Sequence, residues 1–428
     1  MFKHVISAVS TTALLSISSF FSSTVMGYEL THELTAQWRG FFNDGDMNQK
    51  RSDFSLEYES DFFYELESGV DSFIVVPKLR VDQQDPERNL IDLQKAYWNH
   101  LGDGWELRAG IHKVFWGVTE SRHLVDVINQ TDLVSAIDQE DKLGQPMINT
   151  SFEFESGILD VFMLAGFRER TFPGEDGRFR TFIPVDGDST HYESSKEASR
   201  IDWAARWVQT IDSTDIGIYL FSGTSREPLL VFNNDLTNPE LEPYYPVITQ
   251  VGFDLQHVYE AWLFKLEAIH RRGFDYPSGS GIDSDGDFES LVGGFEYTQV
   301  GIFETPMDLG WIAEYLYDSR GKDDPLAVFE DDWFVGWRLA FNDINDSELL
   351  AGIIVDPSSS EKTIGLEYNQ RLSDSLAIAV EGRTWFGGDK APDTMQEALL
   401  GLQAGESQDK LASLMNDDYV ELSLTYYF

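Results

Sequence analysis

Residues 419–428 read YVELSLTYYF. Val420, Leu422, Leu424, Tyr426 and Phe428 fall on one face of an extended chain, and Glu421, Ser423, Thr425 and Tyr427 on the other. An unbroken period of two specifies a β-strand with one apolar and one polar side. At the edge of an open sheet, such a strand would offer its unpaired backbone to other chains, whereas closure into a barrel removes the edge. The closing partner this predicts is the first alternating segment, residues 30–41, where Leu34, Ala36 and Trp38 oppose Thr35, Gln37 and Arg39.

Between those two, alternating segments bounded by Gly, Asp, Asn, Ser and Pro recur along the chain. They are residues 54–64, 72–82, 90–100, 105–116, 147–154, 158–168, 201–210 and 216–224, then 245–255, 261–271, 289–298, 309–318, 333–342, 348–355, 363–369 and 376–385. The total is eighteen strands, with sixteen as the lower bound, and single-chain bacterial barrels require an even number. Short turn-forming links such as LGDG (101–104), ESG (155–157), DSTD (212–215) and LSDS (372–375) alternate with long ones, including 117–146, 169–200, 225–243, 273–287 and 387–418. Short turns on one side and long loops on the other define a transmembrane antiparallel up-and-down β-barrel, an all-β fold.

Residues 1–27 begin with Lys3, continue through an apolar centre from Val5 to Phe21, and place Val25 and Gly27 just before Tyr28. That layout is a secretory signal peptide, which leaves residues 28–428 as one barrel domain opening directly on its first strand. There is no Cys, hence no disulfide framework. After residue 27 no stretch approaches the roughly 18–20 apolar residues of a transmembrane helix, and mean hydropathy is −0.28. Lys and Arg number 31 against 74 Asp and Glu, a formal charge of −43. Nucleic acid is excluded as a partner, because its phosphates need basic side chains. A field of this sign also repels anions unless it is reversed locally.

The terminal YVELSLTYYF resembles the closing strand of bacterial outer-membrane β-barrel proteins, whose final aromatic residue is the assembly signal. The resemblance implies an outer-membrane location, contact with lipid and lipopolysaccharide, handling by the barrel-assembly machinery, and a monomer or trimer.

The polar strand faces carry charge at mid-strand: Arg39, Lys78, Arg80, Glu106, Arg108, His112, Arg206, Lys265, Glu267, Arg271, Glu314, Arg338, Glu381 and Arg383. A charge on the lipid side costs about 2–4 kcal/mol near the midplane, so these residues are expected to line a lumen. Both signs occur there. The set either orients polar solutes or pairs across strands and holds the wall together.

The third long loop begins within GIHKVFWGVTESRHLVDVINQTDL (110–133), in which HLVDVI has helical spacing. In general porins the third loop folds into the bore, and this segment holds the same ordinal position. The stretch also resembles porin-like families in which Trp-Gly, then Thr or Ser and a nearby Asn-x-x-Asp, ends a barrel strand; here these are Trp116, Gly117, Thr119, Asn129 and Asp132. The resemblance implies that His112, Trp116, Glu120, Arg122 and Asp126 form a constriction, and the alternative is an outward surface loop. In GIDSDGDFES (281–290), Asp283, Asp285 and Asp287 are spaced as candidate calcium ligands, although the pattern is not an EF-hand. No other cofactor is expected. Residues 391–415 contain Leu, Ala and Met at helical spacing, which predicts a short helix.

No G-x-S-x-G elbow and no H-E-x-x-H motif occurs, and no enzyme activity is expected. The expected function is a porin-like channel for small polar solutes. Size and strand count also resemble the alginate-export barrel, but a polyanion needs a strongly basic bore. The remaining alternative is a non-conducting surface barrel whose acidic loops bind cations, lipopolysaccharide or a partner.

Overall fold

The computed structural model describes residues 27–278, 280, 286–321, 324, 326–388, 391–392, 394–404 and 410–428; segment 1–26 and the candidate ligands Asp283 and Asp285 lie outside the described residues. The first strands are β1 (Tyr28–Phe41), β2 (Ser52–Glu65), β3 (Asp71–Asp82), β4 (Leu90–Leu101), β5 (Trp105–His112), β6 (Gln145–Phe154) and β7 (Gly157–Leu164). Then come β8 (His191–Tyr192), β9 (Asp202–Ile211), β10 (Thr214–Thr224), β11 (Leu229–Phe232), β12 (Leu241–Tyr245), β13 (Val247–Tyr259) and β14 (Trp262–Arg272). The last are β15 (Phe288–Gln299), β16 (Asp308–Asp318), β17 (Asp331–Ala340), β18 (Glu348–Val355), β19 (Lys362–Ser373), β20 (Leu376–Phe386) and β21 (Tyr419–Tyr427). One helix, α1 (Met395–Ala404), lies in the loop before β21, within the predicted helical stretch.

Eighteen of these strands form one closed antiparallel barrel in which each pairs with its neighbours in sequence. The seam is the pairing of β1 with β21, with Ala36 opposite Leu424, Gln37 opposite Ser423 and Arg39 opposite Glu421. Strands β8, β11 and β12 form a small separate sheet from the loops after β7 and β10, with no counterpart in the sequence reading. They are short and lie among turn formers, so alternation does not reveal them.

Several predicted boundaries move for local reasons. The fifth strand ends at His112 instead of residue 116, because the Val114 N–H donates to Asn129 Oδ1 and leaves the ladder. The seventh ends at Leu164 instead of residue 168. Tyr245 belongs to β12, separated from β13 by Pro246, which has no N–H to donate to a ladder. In β3, Pro77 sits at a register shift against β4, where a missing donor is tolerated. HLVDVI (123–128) is not helical. Its backbone turns instead, with Leu124, Val125, Val127 and Ile128 buried and the Val125 N–H given to Glu267.

Alternate residues point to opposite sides of the wall, as a period of two demands. On β3, Arg80 is 3% exposed and its neighbour Val81 is 66% exposed. Trp38, Ile91, Trp203, Val251, Val335 and Leu424 are likewise exposed on the outer surface. An apolar exterior of this extent is the surface that a barrel presents to hydrocarbon. The interior is divided. The wall from β6 to β18 presents Phe162, Tyr219, Phe221, Ile248, Ile269, Val292, Ile312, Leu316, Phe334 and Leu350 to a buried apolar cluster, and the rest of the circumference presents mainly polar and charged groups.

Leu424→Arg places a charge on the outer face of the seam and is expected to cost about 2–4 kcal/mol. Ser423→Arg, one residue away and facing inward, is expected to cost well under half of that. Denaturant unfolding of the barrel from lipid vesicles compares the two; equal losses would mean that the faces are wrongly assigned.

Candidate functional site

Residues 113–144, between β5 and β6, cross the barrel interior. Asn129 braces the two legs of this loop. Its Oδ1 accepts from Val114 N at 2.8 Å, and its Nδ2 donates to His112 O at 3.1 Å and Leu143 O at 2.9 Å. Trp116 is buried against Phe162 and Tyr219, with the Arg206 guanidinium 5.2 Å from its ring centroid. Beyond it the backbone N–H groups find acceptors on the wall. Glu267 of β14 accepts from Val118 N at 2.6 Å, Thr119 N at 3.0 Å and Val125 N at 3.2 Å. Glu314 of β16 accepts from Glu120 N at 2.8 Å, Ser121 N at 2.7 Å and Ser121 Oγ at 2.6 Å.

Glu120 ion-pairs with Arg338 of β17 at 2.8 Å and with Lys265 of β14 at 3.6 Å. In the ring of eighteen strands β17 is the ninth from β5 in either direction, so residue 120 stands against the wall diametrically opposite the strand it left. The returning leg touches the other side. Asp132 pairs with Arg80 of β3 at 3.0 Å, and Arg39 of β1 donates to Ser135 O at 3.1 Å. Lys142 lies 3.4 Å from Asp126, within the loop. These contacts hold residues 118–142 inside the barrel, where the alternative reading had an outward surface loop.

Charge states in the loop follow from these contacts. Burial pushes the Glu120 carboxyl upward, but Arg338 and Lys265 outweigh it and hold it below the ordinary value. Asp126 goes the other way: burial raises it, and Lys142 only partly offsets that. Arg122 lies beside a cavity of about 350 Å³ that is also lined by Arg170, Arg226, Glu227, Arg271 and Arg320. Burial would raise Glu227, yet Arg271, Arg320, Arg122 and Arg170 together hold it down. A second cavity of about 280 Å³, bounded by β1–β3 and β19–β21, is lined by Glu33, Glu57, Glu367, Glu381 and Glu421 with Lys78 and Arg80.

The expected lumen residues thus divide among several roles. Arg39 with Glu421, Lys78 with Glu57 and Arg206 with Asp254 pair across strands at 2.6, 2.7 and 2.9 Å, as wall bracing would have them. Lys265, Glu267, Glu314 and Arg338 hold the loop. Arg271 reaches Glu227 at 3.2 Å, Arg108 pairs with Glu106 at 2.9 Å, and Tyr419 donates to Glu381. His112 is buried with its ring against Tyr97. Asp287 accepts from the Gly273 N–H at 3.3 Å and lies 3.5 Å from Arg272. The sequence reading missed Arg170, Arg226, Glu227, Arg320 and Asp138, all on loops, where no periodicity tells inward from outward.

Gly117 has φ +151°, and an added Cβ would meet His123 Nδ1 at 2.7 Å and Glu267 Oε1 at 3.2 Å. Gly117→Ala is expected to cost about 1–3 kcal/mol of loop attachment, the usual scale of backbone strain. Trypsin should then cut at Arg122 or Lys142 several-fold faster than in the parent. Unchanged cleavage would show that the loop is held without this close approach.

No protein-family model matches the chain, and no curated protein matches it. Solved structures match in fold. OpdQ of Pseudomonas aeruginosa is 12% identical, covering 94% of this chain and 99% of its own, with a TM-score of 0.53. OccK8 (OprE) of the same organism is 12% identical over 94% of this chain and 98% of its own, with a TM-score of 0.53. For OccK11 (OpdR), also of P. aeruginosa, the values are 11%, 95%, 99% and 0.52. At these identities the likeness is one of architecture: this chain has the barrel fold of Pseudomonas outer-membrane porins.

Proposed function

We propose that the protein is an outer-membrane channel through which small polar solutes pass passively, narrowed by residues 113–144. The observation that carries this reading is the span of that loop from β5 to Arg338 on the opposite wall, with cavities of about 350 and 280 Å³ beside it, both lined in part by charged side chains. Outer-membrane lipid and lipopolysaccharide surround the apolar exterior, and the assembly machinery reads the terminal aromatic strand. Charged side chains stand beside the route, so a polar solute is held there by hydrogen bonds and ion pairs. The chamber beside β1–β3 and β19–β21 carries more carboxylates than cations and would repel a polyanion, whereas the larger cavity carries more cations than carboxylates.

Planar-bilayer recording of the purified protein tests the reading. Conductance is expected in the parent and a larger conductance after deletion of residues 118–145. A sealed barrel would sink the channel reading and favour a non-conducting surface protein.

The latch at Glu120 adds a pH dependence. A carboxyl held below its ordinary value contributes to loop attachment fully above the ordinary 4.5, and that contribution is lost as pH falls through the depressed value. The share of loop attachment held by Glu120 is expected to stay constant from neutral pH down to about 5 and to be lost at lower pH, raising conductance there. Glu120→Gln should conduct more at neutral pH and show a smaller acid rise. An acid response of undiminished size in that variant would assign it to other groups.

A further inference from the structure

Asp138 of the crossing loop, Glu367 of β19 and Glu381 of β20 each bring a carboxylate oxygen to within 4.8 Å of the others, and all three residues are buried. A cation beside them is Arg383, whose Nη2 stands 3.9 Å from Asp138, 3.8 Å from Glu367 and 3.4 Å from Glu381. The neighbouring Arg39 and Glu421 are already paired with each other at 2.6 Å. Tyr419, which donates to Glu381, is neutral. Buried charges persist when they are paired or bound to a metal.

Glu367 gives a second sign. Its side chain is 5% exposed, and its Oε1, turned into the cluster, accepts no hydrogen bond among the described residues. Arg383 does not supply the missing bond, since all three of its separations exceed the roughly 2.7–2.9 Å of a charge-assisted hydrogen bond. The cluster is also reachable. Asp138 and Arg383 line the larger cavity, and Glu367 and Glu381 line the smaller one, so the carboxylates stand between the two.

We propose that Asp138, Glu367 and Glu381 bind one hard divalent cation of the calcium or magnesium class. Carboxylate oxygens, completed by water, suit such an ion, and the absence of His and Cys from the cluster disfavours softer metals. Asp138 belongs to the loop and the glutamates to the wall, so the ion fastens the crossing loop to the β19–β20 side of the barrel. This site is separate from the acidic loop around Asp287.

The test is calorimetric titration of the purified, chelator-treated barrel with CaCl2, and separately with MgCl2. Three variants accompany it: Glu367→Gln, Asp138→Asn, and a triple variant carrying Asp283→Asn, Asp285→Asn and Asp287→Asn. The parent and the triple variant are expected to bind one ion of at least one of the two metals per chain. Glu367→Gln and Asp138→Asn should bind more weakly by on the order of 10-fold or more, the loss that changes even outside the coordination shell produce. Absence of binding in the parent overturns the proposal, as does binding lost in the triple variant but kept in the other two. Circular dichroism confirms that each variant is folded, and Glu367→Gln keeps the shape of a side chain that accepts no hydrogen bond at Oε1. Binding is read without any current. A protein that binds the ion but does not conduct would refute the channel reading and leave this one standing.

Discussion

The backbone hydrogen bonds between β1 and β21 are the contacts on which everything else in this barrel depends. An unpaired strand edge in hydrocarbon would leave a row of N–H and C=O groups without partners, each costing several kcal/mol. Closure satisfies them and, in the same step, separates an inside from an outside. Only after Ala36 faces Leu424 and Arg39 faces Glu421 does the alternation along each strand acquire two destinations. The pattern that puts Val81 outside puts Arg80 inside, and the same holds around the ring.

The enclosed space creates a second demand. A loop that leaves the ladder and crosses the bore carries donors that neither strand nor bulk water satisfies. Glu267 and Glu314 answer it from the wall, each accepting several N–H or O–H groups from residues 118–125. Hydrogen bonds to an ionised acceptor are roughly twice as strong as neutral ones, so two carboxylates secure a segment without regular secondary structure. The apolar residues of the same segment, Leu124, Val125, Val127 and Ile128, pack on the apolar half of the inner wall. The loop is therefore fixed to one side by packing and by carboxylates; the larger cavity lies along that wall, lined by Leu124, Ile248, Ile269 and Phe334, and the smaller one lies at β1–β3 and β19–β21.

A chain with formal charge −43 nonetheless gathers Arg122, Arg170, Arg226, Arg271 and Arg320 around one internal cavity. Net charge governs the field far from the protein, whereas a solute in the bore meets the local arrangement. Part of that arrangement was legible in the strands. Period two assigned Lys265, Glu267, Glu314 and Arg338 to the interior, and it could not say that they hold a loop instead of standing free in the lumen. The five residues quoted for the porin-like resemblance share one physical role, since Trp116, Gly117, Thr119, Asn129 and Asp132 all anchor or brace the crossing loop. Arg226 and Glu227 were not legible at all, because a loop has no period and its side chains take their direction from contacts distant in sequence.

By itself the sequence determined the number of barrel strands, their order, which face of each is apolar, and the partner of YVELSLTYYF. These properties are local or follow from pairing consecutive segments, and a period of two records them residue by residue. Only the tertiary structure decided that HLVDVI turns instead of coiling into a helix, that residue 120 reaches the wall opposite its own strand, and that Asp138 meets Glu367 and Glu381. Those outcomes rest on hydrogen bonds and charges brought together by the curvature of the closed barrel, between residues up to more than two hundred positions apart in the chain. Helical spacing in 123–128 was a local preference, and the two wall carboxylates that accept from residues 118–125 outweighed it.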